Sequence, residues 1–400
     1  MYKSMDKSLH TRLAQCCSSI GRKFRDIQTG AEGNMRHRMK LELVQTVFRH
    51  GERTNDEPEV SIFNHFGPSA YEPFGIGQLT NNGKREAFKI GQMLRRRYRD
   101  FLGDKYNSKD VFAISTEDDR TKMSLQLVLA GLYPPTPEFA WNPDLKWSPI
   151  PIRYTPKEVD ILFKPFFNVR YYDLWEKVFT SKEFQKRMSR YSDFFDFMKK
   201  KTGVDVSNDV VNKCYMFNSL YIPKQLNLPM PGWYTEDVQK TWCKVYAQIV
   251  SSMAATPQLQ KMNGGPIVKT LLENMNIDNT TINPRKIYLY SGHDHNLFSL
   301  KVIFGLNEPD FFDVGSGLVL EKWRDVDDRL YVRILLWTVP GEEPRAVRLG
   351  QRDEFCPVEE FAMIFRHVIP TEEDMSQMFN DMTADRWMNI FLLDPAVQLK

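Results

Sequence analysis

Apolar residues occur in this chain as short continuous runs and as longer periodic stretches, and the two types alternate from about residue 40. Residues 41–48, 111–114 and 287–290 are short β-prone runs of the length typical of strands. Residues 81–101 carry apolar side chains every three or four positions after a capping threonine, which predicts a helix. A similar pattern at 123–132 follows the second run. Strand, loop and helix therefore occur twice in succession, which predicts a parallel sheet with right-handed crossovers.

The middle of the chain breaks this alternation. Residues 137–156 and 221–233 are rich in proline and aromatic residues and are predicted to be irregular. Residues 172–201, between them, carry one apolar stripe and are predicted to be helical. We interpret residues 137–234 as a mainly helical insertion that covers the sheet as a cap.

The two flanking parts, residues 40–136 and 235–400, then form an α/β core in which a mostly parallel central sheet is flanked by helices. Helical patterns at about 235–255 and 265–276 belong to this core. Alternating or apolar runs at 318–323 and 330–337, separated by a charged turn, predict an antiparallel hairpin at the sheet edge.

Composition and charge exclude several classes of function. The chain has 400 residues and a net charge of +3, which gives no indication of a nucleic-acid partner. No apolar run approaches the roughly 18 residues that a transmembrane helix needs. The five cysteines are odd in number and show no Cys-x-x-Cys spacing, so they predict neither a disulfide framework nor a zinc site.

The segment 1–39 is basic, and we interpret it as a flexible N-terminal arm. It lacks the apolar stretch of roughly 7–15 residues that a secretory signal needs. The alternatives are an organelle-targeting segment or a chain start that omits a true signal. A formal glycosylation sequon begins at Asn279 and argues only weakly for secretion.

The most informative stretch follows the first apolar run and reads Arg49-His50-Gly51-Glu52-Arg53. Gly51 permits a sharp turn beside the histidine. Two guanidinium groups, which match the oxygens of phosphate or carboxylate, can then flank one imidazole. A neutral imidazole is a good nucleophile, so this pattern predicts an anion-binding loop around a nucleophile. The simpler alternative is a solvated basic loop.

Two further polar clusters directly follow predicted strands: Asp118-Asp119-Arg120 and His293-Asp294. Ligands bind at the carboxyl ends of strands in open α/β sheets, so we expect the three clusters to face one crevice. No nucleotide-binding glycine motif occurs, and His293 and His295 on a loop do not predict a metal site. We therefore expect no cofactor and no metal.

The chemistry that suits these residues is phosphoryl transfer through a covalent histidine. His50 would attack phosphorus, and Asp294 would protonate the leaving group and later activate water. The groups that would bind the phosphoryl oxygens are Arg49, Arg53, Arg120 and His293.

These clusters resemble the histidine acid phosphatases, branch 2 of the histidine phosphatase superfamily. The similarity extends over about residues 40–370, and the chain resembles the animal prostatic/lysosomal type. The matching motifs are Arg49-His50-Gly51-Glu52-Arg53, Asp119-Arg120-Thr121 and His293-Asp294, with Gly77-Gln78-Leu79-Thr80, Arg96-Arg97-Tyr98, Trp141-Asn142-Pro143 and Gly232-Trp233-Tyr234-Thr235-Glu236-Asp237 in the same order.

The resemblance implies a phosphoglycerate-mutase-like fold with a cap, a metal-independent phosphohistidine mechanism, phosphomonoester substrates and a homodimer. It assigns the nucleophile to His50, the proton donor to Asp294 and phosphate binding to the residues named above. A phytase-like enzyme, a lysophospholipid phosphatase and a catalytically silent phosphate-binding protein are the alternatives.

The chain departs from the family pattern in three places. Thr54-Asn55 and His295-Asn296 replace residues that are usually Ser/Thr-Pro and small hydroxyl residues, respectively. Only Cys356 stands at a plausible half-cystine position. The family suggests a secreted or lysosomal location, whereas the few cysteines and the missing signal favour an intracellular one for this sequence.

Overall fold

The computed structural model describes residues 39–275 and 285–382. The proposed N-terminal arm, apart from its last residue, and the sequon at Asn279 lie outside these ranges. Within them, eight strands form one sheet. In chain order the strands are β1 (Lys40–Arg49), β2 (Val111–Ser115), β3 (Arg153–Tyr154), β4 (Ile287–Gly292), β5 (Gly317–Arg324), β6 (Leu330–Trp337), β7 (Arg345–Val347) and β8 (Phe355–Pro357).

The strand order is β3-β2-β4-β1-β5-β6-β7, and β8 pairs with β6. The first four strands in this order are parallel to one another, and the pairs from β1 onward are antiparallel. The predicted α/β class with a central sheet flanked by helices is confirmed. The sheet is mixed and not mostly parallel as predicted, because three of its strand pairs are parallel and four are antiparallel. The predicted hairpin forms as β5 and β6, but β7 and β8 extend the sheet beyond it, so it does not lie at the edge.

Thirteen helices of six residues or more are found in the described ranges. They are α1 (Glu57–Ile62), α2 (Asn81–Leu102), α3 (Asp119–Leu132), α4 (Val169–Phe179), α5 (Lys182–Met188), α6 (Ser192–Thr202), α7 (Val210–Gln225), α8 (Glu236–Ser252), α9 (Pro257–Met262), α10 (Gly265–Asn274), α11 (Asp294–Phe304), α12 (Val358–Phe365) and α13 (Glu372–Asn380).

Two predictions for the middle of the chain were wrong in detail. The stretch 172–201 is divided among α4, α5 and α6, because Ser181 caps a new helix instead of continuing the first one. Residues 221–225, predicted to be irregular, form the last turn of α7 and include Pro223. The side chains of Tyr221 and Ile222 are buried in this turn, so tertiary packing overrides the local preference of proline.

Apolar layers cover both faces of the sheet. Along β1, Val44 and Phe48 join a cluster with residues of α2 and α3, whereas Val47 joins the larger cluster on the opposite face, which includes residues of α4 to α8. This alternation is expected for a central strand that is buried on both sides. The sheet is therefore covered on its faces, and polar groups collect at the carboxyl ends of its parallel strands.

Candidate active site

The three polar clusters predicted from sequence meet at one edge of the sheet. Ser291 in β4 is aligned with Phe48 of β1 on one side and with Ser115 of β2 on the other. Beyond the strands, the N–H of His50 donates to the carbonyl of Gly292 at 3.2 Å, and that of Thr116 donates to the carbonyl of Ser291 at 3.2 Å. The parallel register therefore brings the residues that follow β1, β2 and β4 to the same place.

His50 has a defined tautomer. Its Nδ1 lies 2.7 Å from the carbonyl oxygen of Gly51, and because a carbonyl only accepts, Nδ1 carries the proton. Nε2 then keeps its lone pair. The loop packs directly against the first turn of α2, where its backbone is in contact with that of Gly83. A side chain on Gly51 or Gly83 would overlap backbone atoms across this contact. Glycine is required at both positions by this close approach.

The electrostatic environment keeps the His50 imidazole neutral. Burial, together with the positive charges of Arg120 and Arg49, holds the pKa of His50 well below its ordinary value. The ring is only 2% exposed. A neutral imidazole with a free Nε2 lone pair is the form that can act as a nucleophile.

Three guanidinium groups lie around His50. Those of Arg49 and Arg53 are buried, and the side chain of Arg120 is 12% exposed. Arg49 donates to the carbonyl of Phe312 at 2.7 Å and contacts Asp294 Oδ2 at 3.1 Å. Arg120 contacts Asp56 Oδ1 at 3.1 Å. The Nε atoms of Arg49, Arg53 and Arg120 are buried and have no hydrogen-bond partner among the described residues. Each can still donate to an oxyanion, which is the ligand that such a cluster favours.

Arg53 is oriented by a short helix that sequence patterns did not identify. Its two terminal nitrogens each lie 2.6 Å from one oxygen of Glu59 in α1, and both side chains are buried. Glu59 also accepts the backbone N–H of Asp56 at 2.8 Å, as in a capping box. The Asp-x-x-Glu spacing of residues 56 and 59 was the available sequence signal.

Asp294 is the first residue of α11, where the helix dipole favours a negative charge. Besides Arg49, its partners are the hydroxyl of Tyr246, which donates to Oδ2 at 2.9 Å, and the N–H of His295, which donates to Oδ1 at 2.8 Å. Burial alone would raise the pKa of Asp294, but the charge of Arg49 and the other donors lower it to about 2. The carboxyl group is therefore ionised in the unliganded protein at neutral pH.

His293 contacts a carboxylate that sequence analysis noted only as part of a cluster. Its ring centroid lies 5.5 Å from that of His50, and its Nε2 lies 3.1 Å from Asp118 Oδ2. The same carboxylate oxygen lies 2.6 Å from Nζ of Lys164. Burial and the charge of Lys164 keep the pKa of His293 well below its ordinary value, so the ring is neutral and donates from Nε2.

All six residues singled out from the sequence thus lie in one cluster: Arg49, His50, Arg53, Arg120, His293 and Asp294. Sequence reasoning missed Glu59, Tyr246 and Lys164, which lie on other segments. No local signal identifies Tyr246 or Lys164, because each is brought to the site only by the packing of segments that are distant in the chain.

Neither a metal-binding cluster nor a membrane-spanning helix is found in the described ranges. Residues 39–275 and 285–382 contain no group of three or more His, Cys, Asp or Glu side chains arranged to hold a metal ion. In the same residues, no helix combines the length and the apolar character needed to cross a membrane.

Comparison with known proteins gives one consistent result. Residues 40–337 match the histidine phosphatase superfamily (branch 2). Venom acid phosphatase Acph-1 of Apis mellifera is 31% identical over 86% of this chain and 90% of its own length. Prostatic acid phosphatase of Homo sapiens is 31% identical over 83% of this chain and 86% of its own length.

Solved structures show the same fold at lower identity. The phytase from Citrobacter braakii superimposes with a TM-score of 0.64 at 18% identity, covering 82% of this chain and 98% of the phytase. At this level of identity the likeness concerns the fold alone.

Proposed function

Because the chain belongs to branch 2 of the histidine phosphatase superfamily, a group of phosphomonoester hydrolases, we propose that it hydrolyses its substrates through a covalent phosphohistidine on His50. The two relatives named above are acid phosphatases. The observation that carries the proposal is the pairing of a neutral, buried His50, whose Nε2 is free, with three guanidinium groups around it.

The phosphoryl group binds to the arginines and to His293. Charge on the transferred phosphoryl group is spread over three oxygens throughout the displacement, and fixed cations stabilise it without reorganisation. The buried Nε–H groups supply donors that are already oriented by the ion pairs behind them. These donors belong to Arg49, Arg53 and Arg120. The Nε2–H of His293, which donates to Asp118 in the unliganded protein, is the fourth donor.

His50 Nε2 then attacks phosphorus in line with the leaving oxygen. Nδ1 remains bonded to the Gly51 carbonyl at 2.7 Å, so the ring keeps its orientation while positive charge develops on it. This contact sets both the tautomer and the direction of the His50 ring, as a backbone carbonyl does for other nucleophilic or metal-ligating imidazoles.

Asp294 protonates the leaving oxygen and afterwards activates the water that cleaves the phosphohistidine. Its pKa of about 2 in the unliganded site depends on the charge of Arg49. A bound phosphate dianion shares that charge and adds negative charge nearby, so it raises the pKa of Asp294 toward the acidic working range. Turnover should therefore be fastest in acid.

The test of this proposal is to trap and map the covalent intermediate. Enzyme mixed with ³²P-labelled phosphomonoester and quenched in base should carry acid-labile label on the peptide that contains His50. His50→Ala should carry none, whereas the exposed control His367→Ala should be labelled like the wild type. Label on another residue, or label that persists in His50→Ala, would contradict the mechanism.

We propose further that the reaction needs no metal ion, since the arginines supply the positive charge at the phosphoryl oxygens. Dialysis against a chelator should leave kcat unchanged. Loss of activity that returns on adding a divalent cation would contradict this.

Two structural proposals accompany the mechanism. Residues 137–234 act as the cap that shapes the substrate pocket. The enzyme is also a homodimer, because aromatic side chains are exposed in the edge strand β3 and in the segment before it: Phe139 (49%), Trp141 (58%) and Tyr154 (51%). Trp141→Glu should convert the dimer to a monomer in light scattering, and a wild-type monomer at micromolar concentration would contradict the proposal.

A further inference from the structure

Lys164 is a largely enclosed cation that the mechanism above leaves without a role. It belongs to the insertion, yet its ammonium group lies 2.6 Å from Asp118 Oδ2, and its side chain is only 13% exposed. The same oxygen accepts from His293 Nε2 at 3.1 Å and is 3.1 Å from the hydroxyl of Thr116. The other oxygen of Asp118 lies 3.7 Å from Arg120. Several donors of the phosphate-binding cluster thus converge on one carboxylate.

Lys164 is held in this position by the backbone that carries it. Asp160 Oδ1 accepts the N–H groups of Leu162 and Phe163 at 3.1 and 3.0 Å, and the N–H of Lys164 donates to the carbonyl of Asp160 at 3.0 Å. These three hydrogen bonds form a closed turn. A lysine on such a turn loses less conformational freedom on binding an anion than one on a mobile loop.

The turn is also bonded to α11, the helix that begins at Asp294. The carbonyl of Phe163 accepts from Asn296 Nδ2 at 3.0 Å and lies 2.9 Å from His295 Nε2. Phe163 itself is 1% exposed. His295 and Asn296 directly follow Asp294, and both depart from the family pattern. Through their contacts with the Phe163 carbonyl, they hold the turn that carries Lys164 beside the site.

We propose that Lys164 is a fourth phosphoryl-binding cation, and that Asp118 is an internal anion that occupies His293 and Lys164 until the phosphoryl group of the substrate displaces it. This inference rests on the function proposed above. A carboxylate oxygen and a phosphoryl oxygen make the same demands on N–H donors, so one can replace the other at the same groups. Displacement frees two donors for the substrate, and Asp118 turns away from the phosphoryl oxygens.

The two residues have opposite predicted effects on binding of inorganic phosphate. Asp118→Asn removes the competing charge and should lower the Kd for phosphate about tenfold, because charge-assisted hydrogen bonds are then available to the ligand. Lys164→Met should raise the Kd and the KM for p-nitrophenyl phosphate about tenfold with little change in kcat, since the contact is made equally in the ground and transition states. Lys164→Arg should restore binding to within about threefold.

The measurement is calorimetric titration with inorganic phosphate, beside turnover of p-nitrophenyl phosphate at the same pH. Asp119→Asn is the matched control, because it removes a carboxylate from the same segment whose side chain is 62% exposed and pairs with Lys122. It should leave both constants unchanged. Lys164→Met in the Asp118→Asn background tests Lys164 without leaving the aspartate unpaired.

The outcomes separate this inference from the proposed function. If the wild type is turned over and labelled on His50 but neither variant changes the Kd for phosphate, the inference on Lys164 and Asp118 is wrong and the mechanism stands. A higher Kd for phosphate in Asp118→Asn would show that Asp118 positions His293 and Lys164 and does not compete with the phosphoryl group for them. If folded wild type neither turns over nor forms label, the proposed function itself fails.

Discussion

Replacing Tyr246 with phenylalanine tests which groups control the proton on Asp294. The Tyr246 hydroxyl is buried and donates to Asp294 Oδ2 at 2.9 Å. Its ring stacks on Phe217 with centroids 4.3 Å apart. The ring is therefore held by packing, and the substitution removes one donor from the carboxylate without removing the side chain that fills the core.

The magnitude follows from the three interactions that stabilise the ionised form of Asp294. The charge of Arg49 and the N–H of His295 remain, and only the tyrosine donor is lost. A hydrogen bond to a charged group contributes about 1.5–3 kcal/mol, and a pKa unit corresponds to about 1.4 kcal/mol. The pKa of Asp294, about 2 in the unliganded wild type, should therefore rise by roughly one to two units.

A higher pKa keeps Asp294 protonated to higher pH. The alkaline limb of the kcat profile for an alkyl phosphate, which needs a proton donor, should move upward by about one to two pH units. Tyr171→Phe is the matched control, since that buried hydroxyl donates to the carbonyl of Met253 and not to the site. If the limb stays in place in Tyr246→Phe but disappears in Asp294→Asn, the argument that Tyr246 sets the pKa is refuted.

Three further substitutions test the supports of the site. Glu59→Gln breaks a buried ion pair and should lower the free energy of unfolding by about 3 kcal/mol in urea titration while raising KM; unchanged values would show that its arginine partner orients itself. Gly83→Ala places a methyl group against the carbonyl of Glu52 and should cost about 1–3 kcal/mol and reduce kcat/KM, whereas Gly232→Ala, where no atom lies within 4 Å, should do neither. Burial raises the pKa of Asp160 to about 6, so the folded protein binds the proton more tightly than the unfolded chain does. This contribution to the free energy of unfolding is complete below the ordinary pKa of aspartate and is lost as the pH rises through about 6. Between pH 4 and 8, the free energy of unfolding of the wild type should fall by about 3 kcal/mol more than that of Asp160→Asn, measured by urea titration at each pH. Equal slopes of unfolding free energy against pH in the two proteins would contradict the pKa shift.

The elements that the sequence predicted well are those with a local physical cause. The apolar run that ends at Arg49 had to be buried, and the turn chemistry of Gly51 ended it at a defined place. The helix from Asn81 to Leu102 carries its own cap, since Thr80 accepts the N–H of Gly83. Its periodicity supplies one buried face. Such features persist whatever the rest of the chain does.

The errors have an equally physical origin. Proline at 223 predicted an irregular segment, but buried neighbours keep that turn helical. The hairpin of residues 317–337 was correctly predicted, but its place inside the sheet depends on β7 and β8, whose three-residue strands have no pattern of their own. Strand order is a long-range property, and short edge strands carry too few residues to indicate it.

The sequence by itself determined the composition of the reactive centre: a histidine between two arginines, a third arginine, and a late His-Asp pair, each directly after a strand. Parallel pairing then required these groups to meet, because the carboxyl ends of adjacent parallel strands share one edge. Only the tertiary structure decided which groups hold and neutralise that centre. Tyr246 and Lys164 come from other segments, and contacts between segments so distant in the chain depend on how whole helices pack and not on any local pattern. Glu59 lies only six residues after Arg53, and the Asp-x-x-Glu spacing was its one local signal.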